Sequence, residues 1–442
     1  MIPCDGSRRI LVIGEVFVDR HVDQSLVRLG GLFHVARALH ALEANYAAAY
    51  VCPAYLDEDC SSRLPSLGAH SFAKIGNVIG APNVIEIRES SEAGHQGYDD
   101  LLREQRSIRF STTELERLLR DYRPTDVLVL SGEIKPQALG TLLRSGARLY
   151  VDADHDTEDA WSATKPHTVF CSTSGEPFRR CGRDPEALRQ HYSNAGAALV
   201  VLKENRGGSR MWVPASDQSA QEAPAFPTRT EHSVGVGDCF DAVWITVLDS
   251  EPPASRLRAA AYVASIYAST FDHRTFVRDV ASVLRSRDTN AAELHGIRLS
   301  WERRANKNIY FAAPDFPEID TRLIDMLEEA VQYHNFRPRR PVKEMGLANS
   351  SMTVSERREL YFRDLELLES CDALIALPLT DDPGTFAELG RFSSTARPSI
   401  LFDPSGRVGN LFARNVADRI CRSCAEVIDA LFELLGRTSD VG

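Results

Sequence analysis

Short apolar runs recur along the first half of the chain, at Ile10–Ile13, Val127–Leu130, Leu149–Val151 and Leu199–Leu202. The stretches between them carry helical periodicity with polar outer faces, as in Thr113–Tyr122 and Pro136–Ser145. A short continuous apolar run is what a strand covered on both faces requires. Strands of that kind alternating with amphipathic helices restrict the chain to an α/β fold with a mostly parallel sheet. Ligands of such sheets bind beyond the carboxyl ends of the strands, so the loops there are where chemistry is expected.

The pattern continues through helices at about Ser255–Thr270 and Thr275–Arg287 and then breaks. Asp288–Asn308 is polar and charged and reads as a linker. A second α/β unit opens with the strand Ile309–Pro314 and a helix built on Leu323, Met326, Leu327, Ala330 and Val331. A helix at Arg363–Ser370 and strands at Ala373–Leu377 and Ser399–Phe402 follow. The expected domains are therefore 1–287 and 309–442, joined by 288–308. At 442 residues the chain is long enough for two full cores. Ala215–Thr230, rich in Ser, Gln, Ala and Pro, reads as a surface hairpin.

The stretch Ser233-Val234-Gly235-Val236-Gly237-Asp238-Cys239-Phe240 is a loop entering a buried helix. Glycines let successive N–H groups point into one concavity, and the helix dipole adds partial positive charge, so an anion fits there. Asp238 lies at the mouth of that hole, where a carboxylate can take a proton from a hydroxyl attacking a phosphoryl group. The same residues also make an ordinary helix N-terminus. Asp19, after the first strand, is placed to accept hydrogen bonds from a sugar diol, or to cap a turn. Gly30-Gly31 allows close backbone approach to a ligand, or a plain turn. His34 is either a substrate ligand or a helix residue.

This set resembles the PfkB (ribokinase-like) sugar and nucleoside kinases over roughly residues 8 to 285. The matching pieces are Gly14-Glu15-Val16-Phe17-Val18-Asp19, Arg28-Leu29-Gly30-Gly31 and the Gly235–Asp238 loop, with Val236 in place of the usual alanine. The resemblance implies Asp238 as catalytic base, Gly235, Val236 and Gly237 as the anion hole, and ATP with Mg2+ as cofactors. Val200–Gly208, including Lys203 and Gly207, resembles the strand and turn leading to the nucleotide site. Cys171–Glu176 stands where an Asn-x-x-Glu motif organises magnesium and phosphate, and only Glu176 is retained. His34 stands near a sugar-binding asparagine of the family, a departure that bears on which acceptor is used.

In the second unit Asp382-Pro383-Gly384-Thr385-Phe386-Ala387-Glu388-Leu389-Gly390 combines a turn with a helix start. Glu388 is expected in the first turn or so, where the dipole favours an ionised carboxylate, as a nucleophile requires. Two carboxylates, one nucleophile and one proton donor, are the usual equipment for breaking a glycosidic bond. Two solvated acids capping a helix would read the same way. This part resembles the nucleoside 2-deoxyribosyltransferases and the related nucleotide N-glycosidases over roughly 307 to 436. By that resemblance Glu388 attacks the anomeric carbon and Asp382 helps protonate the departing base. Tyr310 and Asp364 position substrate with Gly384 and Thr385, and Asn410 matches an asparagine that in some members reaches a neighbouring subunit's site. Arg363 or Arg391 would offer a cation to a 5′-phosphate.

A net charge of −11 argues against a general grip on nucleic acid. No apolar run approaches membrane-spanning length, and Met1–Asp5 does not open a signal peptide. Nine cysteines show no framework, and Cys421 and Cys424 read as partly buried thiols on one helix. The expectation is a cytoplasmic homo-oligomer acting on small nucleosides, nucleotides or their sugars. Its fold is a ribokinase-like domain followed by a smaller flavodoxin-like deoxyribosyltransferase domain, with N-glycosidic cleavage or transfer at the second site and phosphorylation at the first. A nucleotide- or NAD-depleting glycosidase with the kinase fold as sensor, and a regulatory protein with both sites inactive, are the alternatives.

Overall fold

A computed structural model describes residues 6–94, 98–130, 132, 140–142, 144–155, 164–214, 219–247, 249–285, 296–348, 351–380 and 382–437. Half of the helix expected over Pro136–Ser145, and the linker as far as residue 295, lie outside the described residues. The chain divides into two compact units, Met1–Ser91 with Gly97–Arg298 and Glu92–Gln96 with Leu299–Gly442.

The strands of the first unit are β1 (Ile10–Glu15), β2 (Val18–His21), β3 (Leu26–Leu29), β4 (Tyr46–Pro53), β5 (Ser71–Ile79), β6 (Val84–Ile87) and β7 (Tyr98–Asp100). They continue with β8 (Ser107–Phe110), β9 (Asp126–Val129), β10 (Arg148–Asp152), β11 (Thr168–Ser172), β12 (Leu199–Lys203), β13 (Ser209–Trp212) and β14 (Gln221–Ala223). Ten of them form one sheet in the order β14-β13-β12-β11-β10-β9-β1-β4-β5-β8, parallel from β12 through β5. Every residue of β1 and of β4 is buried, as strands covered on both faces must be. β3, β2, β6 and β7 make a separate four-stranded sheet that carries Asp19. β13 and β14 are antiparallel, which places part of the expected 215–230 hairpin at the sheet edge.

The Val236–Thr246 helix is buried over eight of its eleven residues. Phe240, Val243 and Ile245 lie in the core, each such burial contributing roughly 1.5–3 kcal/mol. Trp244 is fully buried with the Arg256 guanidinium 4.2 Å from its ring centroid. So anchored, the helix holds its first turn against Lys203 at the carboxyl end of β12.

The second unit holds β15 (Asn308–Ala312), β16 (Arg337–Arg339), β17 (Ala373–Ala376), β18 (Ser399–Phe402) and β19 (Arg419–Cys421) in one sheet, all parallel. Their order, β16-β15-β17-β18-β19, is second-first-third-fourth-fifth within the unit, the flavodoxin-like arrangement. The strand order reverses between β15 and β17, so a ligand crevice is expected above those two strands. The stretch expected as linker is partly structured: Ile297 pairs with Ala225, and Trp301–Arg304 forms a helix before β15. The Arg322–Tyr333 helix buries Ile324, Leu327, Ala330 and Val331, while Met326 faces outward. Cys421 ends β19 and Cys424 begins the next helix, so the two do not share one helix, and both are free thiols.

Candidate active sites of the two units

In the first unit Gly235 caps the Val236–Thr246 helix at φ +77°, a conformation that favours glycine. The N–H groups of Gly237 and Asp238 have no backbone carbonyl to accept them and are available to an anion, whereas Val236 N, expected in the same hole, donates to Ser233 O at 3.1 Å. Asp238 stands in that first turn, half-buried. Burial, helped by Asp152 and opposed by Lys203, pushes its carboxyl up to about 8.

Beneath this turn lies a charged group that the sequence reading reached only through Lys203. Lys203 ends β12, and its Nζ is 3.2 Å from where a Cβ on Gly237 would sit. Nζ lies 3.1 Å from Asp241 Oδ2, 3.4 Å from Asp152 Oδ2 and 3.5 Å from Asp154 Oδ2. Burial works against the ammonium, but these carboxylates hold Lys203 well above the ordinary lysine range. Burial raises Asp241 strongly, whereas for Asp152 Lys203 and hydrogen bonds from Asp154 and Asp241 together outweigh burial and the carboxyl falls below its usual range. Asp241 follows Asp238 by three residues, a helical spacing that would have flagged it. Asp152 and Asp154 alternate at the end of β10, where a ligand loop is expected.

Glu176 opens the Glu176–Arg180 helix, and its Oε2 accepts from Arg179 Nη2 at 2.7 Å, so this remnant acid is paired with an arginine. Gly207 is buried in a tight turn, its carbonyl accepting from Arg298 Nη1 at 2.8 Å. Among the described residues no group of three or more His, Cys, Asp or Glu is arranged to hold a metal ion. The donor set does not fit a resident Mg2+, because Lys203 fills the centre of the Asp152, Asp154 and Asp241 group.

Asp19, on β2, is 1% exposed, and a Cβ on Gly30 would lie 2.1 Å from both of its oxygens, so only glycine fits there. His34 is 2% exposed, with Nε2 2.9 Å from Asp19 Oδ2 and Nδ1 2.8 Å from the Tyr267 hydroxyl. Burial pushes its imidazole down to about 4, with Asp19 pulling the other way, so the ring is neutral. Arg28 Nε is 4.0 Å from Asp19 Oδ2, and its guanidinium lies 5.1 Å from the Phe271 ring centroid. Gly31 is the N-cap of the Leu32–Ala41 helix that carries His34.

In the second unit Tyr310 projects from β15 and donates its hydroxyl to Glu388 Oε1 at 3.0 Å. Glu388 is the sixth residue of the Pro383–Ser393 helix, in its second turn, where the first turn or so was expected. The helix dipole therefore does not set its charge. Burial, with Asp364 and Asp382 adding to it against the Tyr310 hydrogen bond, pushes its carboxyl up to about 7. Asp364, on the Val354–Ser370 helix, is raised by burial against the pull of Arg363, and its Oδ1 is buried with no hydrogen-bond partner.

Asp382 is the N-cap of the Pro383–Ser393 helix, accepting from Gly384 N at 3.2 Å, Thr385 N at 2.9 Å and Thr385 Oγ1 at 2.9 Å. Gly384 and Thr385 are thus committed to the cap. Asn410 likewise caps the Leu411–Val416 helix, accepting from Phe412 N and Ala413 N at 2.9 and 3.2 Å. Arg391 is paired with Glu369 at 2.5 Å, while Arg363 is exposed next to Asp364.

Residues 309–417 match the family model of the nucleoside 2-deoxyribosyltransferases. The deoxyribosyltransferase domain so defined contains Tyr310, Asp364, Asp382, Glu388 and Asn410. Similar solved structures include a pyrophosphate-dependent kinase of the ribokinase family, complexed with a pyrophosphate analogue and myo-inositol (16% identity, 60% of this chain and 98% of that chain, TM-score 0.45). A ribokinase from Thermotoga maritima is 13% identical over 63% of this chain and 100% of its own, with a TM-score of 0.46. A candidate ribokinase II from E. coli, in complex with ATP and Mg2+, is 14% identical over 63% of this chain and 99% of its own, with a TM-score of 0.45. A comparison with curated protein sequences returns no significant match. Among the described residues no helix is long and apolar enough to cross a membrane.

Proposed function

We propose that the chain breaks the N-glycosidic bond of a nucleoside or nucleotide at the deoxyribosyltransferase domain, with Glu388 as nucleophile. The observation that carries this reading is the Tyr310 hydroxyl donating to Glu388 Oε1 at 3.0 Å, which fixes the other carboxylate oxygen for attack. The ionised Glu388 bonds to the anomeric carbon as the carbon–nitrogen bond breaks, and the electron pair of that bond leaves with the base. The base takes up a proton as it departs. Asp364, with a buried oxygen that has no partner and a carboxyl held up by burial, is better equipped to give that proton than Asp382, which is occupied in capping the helix. Water then attacks the glycosyl ester for hydrolysis, or a second base attacks it for transfer. Either route returns Glu388 as carboxylate.

For the first unit we propose binding of a nucleotide phosphate, such as that of ATP with Mg2+, at the Gly235–Asp238 turn above Lys203. Phosphoryl transfer with Asp238 as base and nucleotide sensing are its two readings, and they are separable by ATP turnover. The test of the main reading is mass spectrometry of a nucleoside and nucleotide panel for free base. Base released by the parent chain and not by Glu388→Gln supports it, and equal release by both removes it.

A further inference from the structure

We propose that His34 stands in the acceptor's place in the first unit, so that the unit binds a phosphate-bearing nucleotide without passing its phosphoryl group to a sugar hydroxyl. The inference rests on reading the Gly235–Asp238 turn as an anion site, and it is independent of the Glu388 reading.

A hydroxyl that is to be phosphorylated must come within hydrogen-bond reach of Asp238 and be oriented by further polar groups beside it. On the Asp19 side of the loop, which is close enough for Asp19 to act electrostatically on Asp238, those groups are Asp19, His34, Tyr267 and Arg28. They are turned on one another. The His34 ring lies against the loop itself, since a Cβ on Gly235 would stand 2.1 Å from His34 Cγ and 2.3 Å from Nδ1. Its two nitrogens face Asp19 and Tyr267 at 2.9 and 2.8 Å. Asp19 cannot draw back, because Gly30 is packed against both of its oxygens. Arg28 adds positive charge at 4.0 Å from Asp19 and reaches the Val234 carbonyl at 3.3 Å, which ties this cluster to the residue just before the loop.

Asp19, His34 and Tyr267 are each no more than 2% exposed, so none presents a polar atom to an incoming diol. The imidazole Nε2 stands 2.9 Å from Asp19 Oδ2, neither atom having a hydrogen-bond partner, and Nδ1 lies 2.8 Å from the Tyr267 hydroxyl, so the ring fills the space beside this carboxylate that a substrate hydroxyl would need. A ligand would have to displace a fully buried neutral ring packed against Gly235. The phosphate side of the site has no such plug: Asp238 and the loop glycines are partly exposed. What remains open is an anion site without an oriented acceptor.

The test uses the full chain, with ATP–Mg as donor and ribose, deoxyribose and a set of nucleosides as acceptors, in calorimetric binding and phosphoryl-transfer assays. The expected result is ATP–Mg binding by the parent chain with no acceptor-dependent consumption of ATP and no measurable ribose binding. His34→Ala, which vacates the ring, is expected to tighten ribose or nucleoside binding by at least about tenfold. His34→Asn keeps a polar side chain of smaller size and guards against a folding failure in the alanine variant. Phosphorylation of any acceptor by the parent chain overturns the proposal. So does a folded His34→Asn or His34→Ala chain that binds acceptors no better than the parent. Absence of ATP–Mg binding overturns the nucleotide half. Base release, followed in the same samples, reports on Glu388 and is expected to persist in every arm.

Discussion

Asp238 stands in the first turn of its helix and Glu388 in the middle of another, and burial pushes both carboxyls up, to about 8 and about 7. Their surroundings differ in what they leave unsatisfied. Around Asp238 the neighbouring groups pair by charge, Lys203 with three aspartates and Asp19 with His34 and Arg28, although Asp19 Oδ2, His34 Nε2 and Arg28 Nε are buried without a hydrogen bond. Around Glu388 the match is incomplete, since Tyr310 engages Oε1 while Asp364 Oδ1 is buried and unpartnered. A buried polar atom without a partner costs about 1–3 kcal/mol, which a ligand can relieve. Both centres thus hold buried polar atoms that a ligand could satisfy, and what sets the first apart is the buried His34 ring filling the space beside Asp19.

The largest effect that would break this contrast comes from Glu388→Gln. The substitution is nearly isosteric, so the fold should hold while base release falls by roughly 10²-fold or more. Thermal melts alongside product analysis separate loss of chemistry from loss of structure.

Tyr310→Phe comes next. Removing the hydrogen bond that lowers the Glu388 carboxyl should raise it further and slow base release at neutral pH by about tenfold. The parent rate should climb with pH through about 7, because the ionised form attacks, and the variant's profile should be displaced to higher pH. An unmoved profile would mean that Tyr310 does not tune the nucleophile.

Asp238→Asn tests the first centre through stability. A carboxyl raised from 3.8 to about 8 on folding binds its proton more tightly in the folded state, so the parent loses stability as pH rises between those values. The asparagine variant lacks this loss. Its melting point should exceed the parent's by a margin that widens from pH 4 to pH 8 and then levels. A constant margin would show that burial does not raise Asp238.

The smallest effect is expected at Asp382. Asp382→Ala should cost about 1 kcal/mol by removing a helix cap, while Asp382→Asn, an equally good cap, should be near neutral. If Asp382 only caps, the asparagine variant keeps base release within a few-fold. A loss of 10²-fold there would restore Asp382 as the proton donor.

Much of this arrangement was legible in the sequence, for reasons that differ by element. β1 and β12 announce themselves as apolar runs because both faces are covered. β4 does not: three of its eight residues are a run of alanines, and alanine is the strongest helix former. Its neighbours β1 and β5 decide its state, and they are distant in sequence. The Gly235–Asp238 turn and the 382–390 helix start were readable because Gly, Asp and Pro at helix boundaries have local causes. Glu388 was expected in the first turn or so and lies in the second, because spacing does not report where a helix begins to within a few residues. The pairing of His34 with Asp19 across fifteen positions, and of Lys203 with Asp152 across fifty-one, belongs to the tertiary fold and left no local sign.

The most direct measurement is intact-protein and peptide mass spectrometry of the full chain after reaction with a 2-fluoro-substituted nucleoside, which slows release of a glycosyl ester. The account predicts one added glycosyl group per chain, located on Glu388, with one equivalent of free base and no adduct in Glu388→Gln. Base release by the parent with no adduct, or an adduct on another residue, would contradict it.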